Sequence, residues 1–318
     1  MPPTFPQQAA GRPVIHEQAV LGLSQEGDLA AAQLVDADGE EPRLTLLAFG
    51  RGGEPTRTLL EAPRERAAAV AQRLRTEGRA RSPILEQLVS AEWPAAQAKA
   101  AQLGYARRPR AQPSQGDDRW QVRGARDAGA LPLVLRVARL DRPSPATALL
   151  LSDPQSPDEE VELLRMPLAG AALPPELWIQ SGVVWLLAGS VLDGDPLHRA
   201  VGVRRGSLAR GEAELHNRHG FADYSAGDLD AARREFARAI AADPRYVDAL
   251  YNAASTAALA NRVEEAVALL RRAAAVDPAR VQVLGRNDED LKALRTRPDV
   301  RALLGLRRLP PEGVPPPP

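Results

Sequence analysis

The chain has 318 residues with 41 basic and 41 acidic side chains, so its formal net charge at pH 7 is zero. This length is typical of about two domains, and the charge balance argues against a nucleic-acid coat or a polybasic membrane anchor. Cysteine is absent, which excludes disulfides, iron–sulfur clusters, thiolate zinc sites and a cysteine nucleophile.

The N-terminal segment, residues 1–13, contains Pro, Gln and Thr but no apolar stretch of the signal-peptide type, so we expect it to be flexible. The longest apolar run, Gly182–Gly189, is much shorter than the ~18 residues that a membrane span needs. We therefore predict no membrane span. We expect a cytoplasmic protein on the sequence as given, or a periplasmic or secreted one if a signal peptide has been removed.

Residues 14–208 are predicted to form one mainly antiparallel β domain. Apolar runs of strand length alternate with clusters of Gly, Pro, Asp and Ser, and Asp38-Gly39 is a strong hairpin signal within an initial three-stranded meander. The periodicity becomes helical at about 62–104, which predicts a helical insertion. The chain lacks the regular β–α alternation of a doubly wound parallel sheet.

Strand patterns stop after residue 208, and Arg205–Gly211 is predicted to be a linker. Beyond it the chain repeats with a period of 34 residues, and each repeated pair keeps one physical property: small size, large apolar bulk, tolerance of left-handed backbone, or helix termination. These pairs are Ala232 and Ala266, Ala239 and Ala273, Phe236 and Leu270, Gly227 and Asn261, and Pro244 and Pro278.

Each repeat is predicted to be a pair of helices. The first pair covers 214–225 and 229–241, with Asp228 as N-cap of its second helix. The second pair covers 247–259 and 263–275. The predicted fold class is therefore α+β: a mainly antiparallel β N-terminal domain with a helical insertion, followed by an all-α module of helix hairpins.

This pattern resembles the tetratricopeptide repeat. The family's positions are matched in the first repeat by Gly220, Tyr224, Gly227, Ala232, Phe236, Ala239 and Pro244, and in the second by Leu250, Ala254, Ala257, Ala266, Leu270, Ala273 and Pro278. Two residues depart in type at these positions: His216 stands where the family prefers an aromatic residue, and Ala254 stands where it prefers glycine. The resemblance predicts two repeats at 212–278, a degenerate third repeat or capping helices at 279–305, and a Pro-rich disordered tail at 306–318.

What the resemblance implies is the binding of a protein or peptide on the concave face, which the first helix of each pair lines. The candidate groove residues are Asn217, Phe221, Tyr224, Ser225, Tyr251, Asn252 and Ser255. The aromatic residues are candidate apolar anchors and the asparagines candidate backbone ligands, although Tyr224 and Tyr251 fit a helix-packing role equally well. The carboxylate clamp of chaperone-binding relatives is not matched, because only Asn252 fits it.

The sequence offers no complete catalytic or metal-binding pattern. His216 and His219 are three residues apart on one predicted helix face, but no carboxylate at a helical spacing completes a metal site with them. No nucleophile elbow or phosphate-binding loop is present. Arg107, Arg108 and Arg110 form a basic loop without the exposed aromatic residues that nucleic-acid recognition requires. We therefore predict no catalytic residues, no metal, no cofactor and no nucleic-acid partner.

Several alternatives stay open at this stage. The leading hypothesis is a non-catalytic adaptor or scaffold that binds a protein partner through its repeats. One alternative is a structural or assembly component of the bacterial envelope, which a removed export signal would support. Separately, Leu21–Ala31 looks weakly like the opening segment of bacterial predicted secreted proteins of unassigned role. Another alternative is a hydrolase or ligand-binding β domain with accessory repeats. The sequence leaves the partner's identity and the oligomeric state undetermined.

Overall fold

The computed structural model describes residues 15–37, 40–50, 53–77, 85–113, 119–123, 132–168, 170–191 and 199–306. The N-terminal segment 1–13, the Asp38-Gly39 turn and residues 307–318 of the predicted tail lie outside these ranges. The described residues divide into two compact units. The first runs from 15 to 208 apart from 155–161, and the second comprises 155–161 together with 209–306.

Strands dominate the chain up to residue 207. They are β1 (Ile15–Leu23), β2 (Leu29–Asp36), β3 (Arg43–Phe49), β4 (Pro55–Glu61), β5 (Arg119–Arg123), β6 (Pro132–Leu140), β7 (Ala146–Asp153), β8 (Ser156–Pro167), β9 (Ala171–Ala172), β10 (Glu176–Gln180), β11 (Val183–Val191) and β12 (Arg199–Ser207).

Helices form an insertion after β4 and then the whole C-terminal part. They are α1 (Arg64–Glu77), α2 (Leu85–Glu92), α3 (Pro94–Gln102), α4 (Leu208–Ser225), α5 (Leu229–Ala242), α6 (Val247–Leu259), α7 (Val263–Val276), α8 (Pro278–Gly285) and α9 (Pro298–Leu303), with a 3₁₀ helix at Glu289–Thr296 before α9.

The strands form two sheets among the described residues. The larger sheet has the order β10-β11-β12-β1-β2-β3-β4, with β9 beside β11, and the smaller has the order β5-β6-β7-β8. Neighbours in the larger sheet run antiparallel except β1 and β12, which pair in parallel through Ile15 with Arg199 and His16 with Ala200. This arrangement confirms the predicted antiparallel-rich β region, and β4 extends the predicted meander to a fourth strand.

The central strands β1, β2, β3 and β11 of the larger sheet are largely buried on both faces, so apolar residues follow one another along them, whereas the edge strand β4 is largely exposed. On one face, buried residues of β1 to β3 pack with the apolar sides of α1, α2 and α3. On the other face, a second cluster contains Trp178 and Trp185, and the Trp185 indole N–H donates to the carbonyl of Gly27 at 2.8 Å. The helical insertion therefore covers one face of the larger sheet.

Successive helices of the second unit share buried apolar clusters. Their small residues are fully buried at the contacts, including Ala232, Ala239, Ala266 and Ala273, so the predicted close approach of the helices is present. Asp228 accepts a hydrogen bond from the backbone N–H of Ala231 at 2.8 Å, which confirms the predicted N-cap.

The backbone at the repeat boundaries also follows the sequence prediction. Gly227 and Asn261 have positive φ angles of 83° and 55°, the left-handed conformation that ends a helix. Pro278 lies at the first turn of α8, directly after α7 has ended. The predicted α+β class, with an all-α C-terminal part, is therefore confirmed.

The predicted linker at Arg205–Gly211 is wrong. Strand β12 continues to Ser207, which pairs with Val183 on β11, and α4 begins at the next residue, Leu208. Gly206 and Gly211 suggested a loop, but ladder hydrogen bonds and the start of a long helix outweigh the local preference of glycine for turns. None of the helices in the described ranges is long and apolar enough to cross a membrane.

Candidate functional site

Helices α4 and α6 position the predicted groove residues, because they are the first helices of the two repeats. Asn217, Phe221, Tyr224 and Ser225 lie on α4, and Tyr251, Asn252 and Ser255 lie on α6. The spacing of three or four residues puts most members of each set on one helix face.

A pocket of about 240 Å³ lies among these helices and the segment that follows α8. Its size is slightly below that of a typical small-molecule pocket, and it is open, so it fits one or two side chains of a partner better than a whole ligand. Five of the seven predicted residues line it. The lining consists of Phe221, Tyr224, Phe236, Tyr251, Asn252, Ser255, Thr256, Asp288 and Asp290.

Two aspartates from the closing segment accept hydrogen bonds from both groove tyrosines. The Tyr224 hydroxyl donates to Oδ2 of Asp290 at 2.8 Å, and the Tyr251 hydroxyl donates to Oδ2 of Asp288, which also accepts from Ser255 at 3.1 Å. The bond to Asp290, with burial and the nearby carboxylate charges, raises the pKa of Tyr224 to about 12. Burial and the bond to Asp288 raise the pKa of Tyr251 as well, so both phenols stay protonated donors near neutral pH.

The two predicted asparagines contact each other rather than standing apart. The side-chain amide of Asn252 donates to Oδ1 of Asn217 at 2.9 Å, which links α6 to α4. Asn252 lines the pocket, whereas Asn217 does not. Because an amide carries two donors and a carbonyl acceptor, this bond leaves Asn252 with further hydrogen-bonding capacity toward the pocket.

The aromatic residues differ sharply in exposure. Tyr251 is only 4% exposed and belongs to the core, whereas Phe221 is 57% exposed. The Phe221 ring stacks on Tyr224, with ring centroids 5.9 Å apart. Ser225 does not line the pocket, and its hydroxyl donates to the carbonyl of Phe221 within α4. Phe221 is therefore the aromatic side chain that the pocket presents to solvent.

The tetratricopeptide repeat family model matches residues 224–297. This match confirms the resemblance drawn from the 34-residue period in the C-terminal third, and it implies protein–protein interaction in general. No curated protein and no solved structure matches the chain. The weak N-terminal likeness to predicted secreted proteins gains no support from these comparisons and stays a prediction.

Asp288 and Asp290 are the pocket residues that the sequence analysis missed. They lie at the start of the 3₁₀ helix, one turn beyond the last full helix of the tetratricopeptide segment, and the family's groove positions do not extend there. The local signal was an acidic helix start: Asp288 is the N-cap and accepts from the backbone N–H of Asp290. No sequence pattern near Asp288 indicates that the start of this 3₁₀ helix lies next to α4 and α6 in the folded chain.

His216 and His219 do not line the groove pocket. They lie near Glu235 of α5, and the donor atoms of the three side chains are within 4.8 Å of one another. This carboxylate is 19 residues from His216 and 16 from His219 along the chain, so helical spacing within one helix does not reveal it.

The β unit contains pockets of its own, one of about 240 Å³ beside the loop that carries Arg107, Arg108 and Arg110. Glu86 accepts from Arg107 at 2.6 Å and from Arg110 at 2.9 Å, and Arg110 also lies 2.5 Å from Glu176. Burial raises the pKa of Glu176 despite this arginine. The arrangement is an ion-pair network that fixes the loop.

Proposed function

We propose that the tetratricopeptide segment docks a protein partner through the α4–α6 pocket, in an adaptor or scaffold role without catalysis. The single observation that carries the proposal is the exposed Phe221 ring at the mouth of a pocket that five predicted groove residues line. A large aromatic side chain that is half exposed beside a pocket is typical of an interface anchor.

The charge of the α4–α6 pocket indicates which kind of side chain a partner offers there. Asp288 and Asp290 bring two carboxylates to the pocket, and in the described part of the chain neither forms an ion pair with a basic side chain. Their carboxylate oxygens accept from uncharged groups, namely hydroxyls and the backbone N–H of Asp290. The nearby Arg295 donates to the backbone carbonyls of Asp288 and Gly285 rather than to either carboxylate. The partner is therefore a peptide segment with an apolar side chain for Phe221 and an arginine or lysine close to it.

The same charges argue against a partner that offers a C-terminal carboxylate. Two aspartates at the pocket repel such a group, and like charges brought together at an interface cost several kcal/mol in order of magnitude. This agrees with the sequence analysis, which found the clamp residues of chaperone-binding relatives unmatched.

The non-catalytic part of the proposal is supported by how the polar groups of the pockets are used. The arginines and glutamates beside the β-unit loop largely satisfy one another. In the groove pocket the phenols are held as donors to carboxylates. The Ser255 hydroxyl does donate to the Asp288 carboxylate, but no histidine lies among the described residues that line either of these two pockets to act as a base between them.

A peptide array tests this function. Each immobilised peptide carries Leu or Phe and, one to three residues away, either Arg or Glu, and the full-length protein is applied with a fluorescent label. We expect the apolar–Arg peptides to retain the protein and the apolar–Glu peptides to fail. Phe221→Ala should weaken binding about tenfold or more, because it removes a central aromatic anchor.

Two further variants sharpen the result. Val283, on α8, is 65% exposed and does not line the pocket, so Val283→Ala is a control for the loss of exposed apolar surface and should bind normally. Asp290→Asn should reduce the preference for Arg over Glu. Equal binding of both peptide classes, or equal losses in Phe221→Ala and Val283→Ala, would show that the partner is docked elsewhere.

A further inference from the structure

Three potential metal ligands, His216, His219 and Glu235, converge in the second unit, and a fourth carboxylate, that of Glu159, lies beside His219. His216 Nδ1 lies 2.8 Å from Oε2 of Glu235, on α5. His219 Nε2 lies 2.7 Å from Oε2 of Glu159, near the start of β8. The donor atoms of His216, His219 and Glu235 are all within 4.8 Å of one another.

The hydrogen bonding of this cluster is incomplete. His219 Nε2 is buried, and among the described residues no hydrogen-bond partner is aligned with it, although Glu159 Oε2 is close. A buried ring nitrogen without an aligned partner is costly. A metal ion between the imidazoles and the carboxylates would satisfy this nitrogen.

The donor set is one that zinc prefers. Zinc in proteins is bound by imidazole nitrogen at about 2.0–2.1 Å and carboxylate oxygen at about 2.0–2.2 Å, usually with tetrahedral geometry. Such bonds place ligand atoms about 3.4 Å apart. The separation of 2.8 Å between His216 and Glu235 and those of up to 4.8 Å within the set of His216, His219 and Glu235 bracket this value. Glu159 lies 2.7 Å from His219 but outside this set, so its side chain has to rotate toward the other three to become a ligand.

Neighbouring arginines hold the carboxylates in position. Arg238 donates to Oε1 of Glu235, which orients Oε2 toward His216. Arg218 donates to the backbone carbonyl of Glu160 at 2.9 Å, which fixes the chain next to Glu159. Outer partners of this kind orient the ligands of metal sites.

We propose that His216, His219, Glu235 and Glu159 form a zinc site that joins the first helix pair to the 155–161 segment. With four protein ligands the site is closed and structural. It is independent of the groove proposal, because none of the four residues lines the α4–α6 pocket.

Zinc binding to the tag-free, chelator-treated full-length chain tests the site by calorimetry, with thermal unfolding as a second measurement. We expect one Zn²⁺ per chain and an increase in the unfolding temperature, because an ion that binds only the folded state stabilises it. Addition of Co²⁺ instead should give the intense visible absorption of a tetrahedral complex.

Matched variants assign the ligands. Loss of a residue that only hydrogen-bonds to a metal ligand weakens metal binding by about 10-fold to 100-fold. Because His219→Gln and Glu235→Gln each remove a ligand itself, each should weaken Zn²⁺ binding by about 100-fold or more. Asp223→Asn, on the same helix but outside the cluster, should bind like the wild type. The unfolding temperature of each variant without metal shows whether that variant folds. If His219→Gln fails to fold, the zinc affinity of Glu235→Gln decides the assignment, because this substitution keeps the size of the side chain.

Two results would overturn the proposal. Unchanged stoichiometry and affinity in both His219→Gln and Glu235→Gln would mean that the ion binds elsewhere or adventitiously. The weak absorption of octahedral Co²⁺ would exclude the closed geometry. Glu159→Gln tests the fourth ligand separately: we expect about tenfold weaker binding, and unchanged affinity would overturn the four-residue site.

Discussion

At the scale of single residues, Gly220 shows why a small residue is required at one point of α4. A methyl group on its α-carbon would lie 2.7 Å from Cε1 and 2.8 Å from Cδ1 of Phe236. Phe236 is 1% exposed and packs with Ala232 and Ala253, so relief of the clash requires its ring to leave this core contact and shift toward the pocket that it lines. The glycine lets α4 and α5 approach closely, at the cost of lower helix propensity.

Gly220→Ala should therefore destabilise the protein by about 1–2 kcal/mol. Overpacking a core costs about 1–3 kcal/mol, and the better helix propensity of alanine returns up to about 1 kcal/mol. Urea unfolding measures the change. In a Phe236→Leu background the added cost should shrink, since the clashing ring is gone. A Gly220→Ala protein as stable as the wild type would refute the packing role.

His16, on β1 of the larger sheet, is a residue whose charge state responds to mild acid. Its Nε2 lies 2.7 Å from Nε2 of Gln33 on the neighbouring strand. Burial holds the pKa of His16 below its ordinary value, more strongly than backbone hydrogen bonding raises it. The folded protein therefore keeps this imidazole neutral at pH values where the unfolded chain protonates it.

Stability should consequently be lost on acidification through this residue. The unfolded chain takes up the proton below a pH of about 6.5. Above that pH the His16 side chain is neutral in both states and costs no free energy of unfolding. As the pH falls from there toward the lowered pKa of the folded state, proton uptake by the unfolded chain lowers the free energy of unfolding. Urea unfolding at about pH 7.5 and about pH 5.5 should show a larger loss for the wild type than for His16→Gln. Identical losses in both proteins would contradict the assignment.

At the scale of elements, the 3₁₀ helix Glu289–Thr296 closes the tetratricopeptide segment. Its Leu291 and Leu294 are buried in the core that α6 and α7 form. Arg295 donates to the backbone carbonyl of Asp288 at 2.6 Å. The Asp288 carboxylate caps the helix with one oxygen and accepts from Tyr251 and Ser255 with the other. One side chain thus starts the element and attaches it to α6.

Asp288→Ala should destabilise this closing segment by about 2–3 kcal/mol, because it removes an N-cap and two hydrogen bonds to a charged acceptor. Amide hydrogen exchange in the 3₁₀ helix and α9 should accelerate, while α4 and α5 keep their protection. Glu289→Ala is the control, since its side chain is 74% exposed and its pair with Lys292 contributes little. Equal effects of the two variants would show that Asp288 does not attach the segment.

At the scale of the whole molecule, the contacts that organise each unit join residues far apart in sequence. The Gln18 side chain accepts from the backbone N–H of Val203 at 2.9 Å, across 185 positions. The parallel pairing of β1 with β12 lies in the same region. Turn signals predict which neighbouring strands form hairpins, but no local pattern specifies that the last strand of the domain returns to the first.

The amino-acid pattern alone was sufficient for features that depend on neighbours along the chain. The 34-residue period, the Asp228 cap, the left-handed Gly227 and Asn261, and the antiparallel meander all follow from periodicity, capping and backbone sterics. Repeat position also places five of the seven candidate groove residues around one pocket, while their role in partner binding stays a prediction.

Only the tertiary structure determines which side chains lie next to the groove residues and next to His216 and His219. Asp288 and Asp290 give the pocket its charge, and Glu235 and Glu159 lie beside the His216–His219 pair, only because distant segments pack there. Burial is a collective property of the packed chain, so a short stretch of sequence carries no record of which carboxylate will lie next to it. For the same reason Arg205–Gly211, polar and glycine-rich, became strand and helix rather than linker.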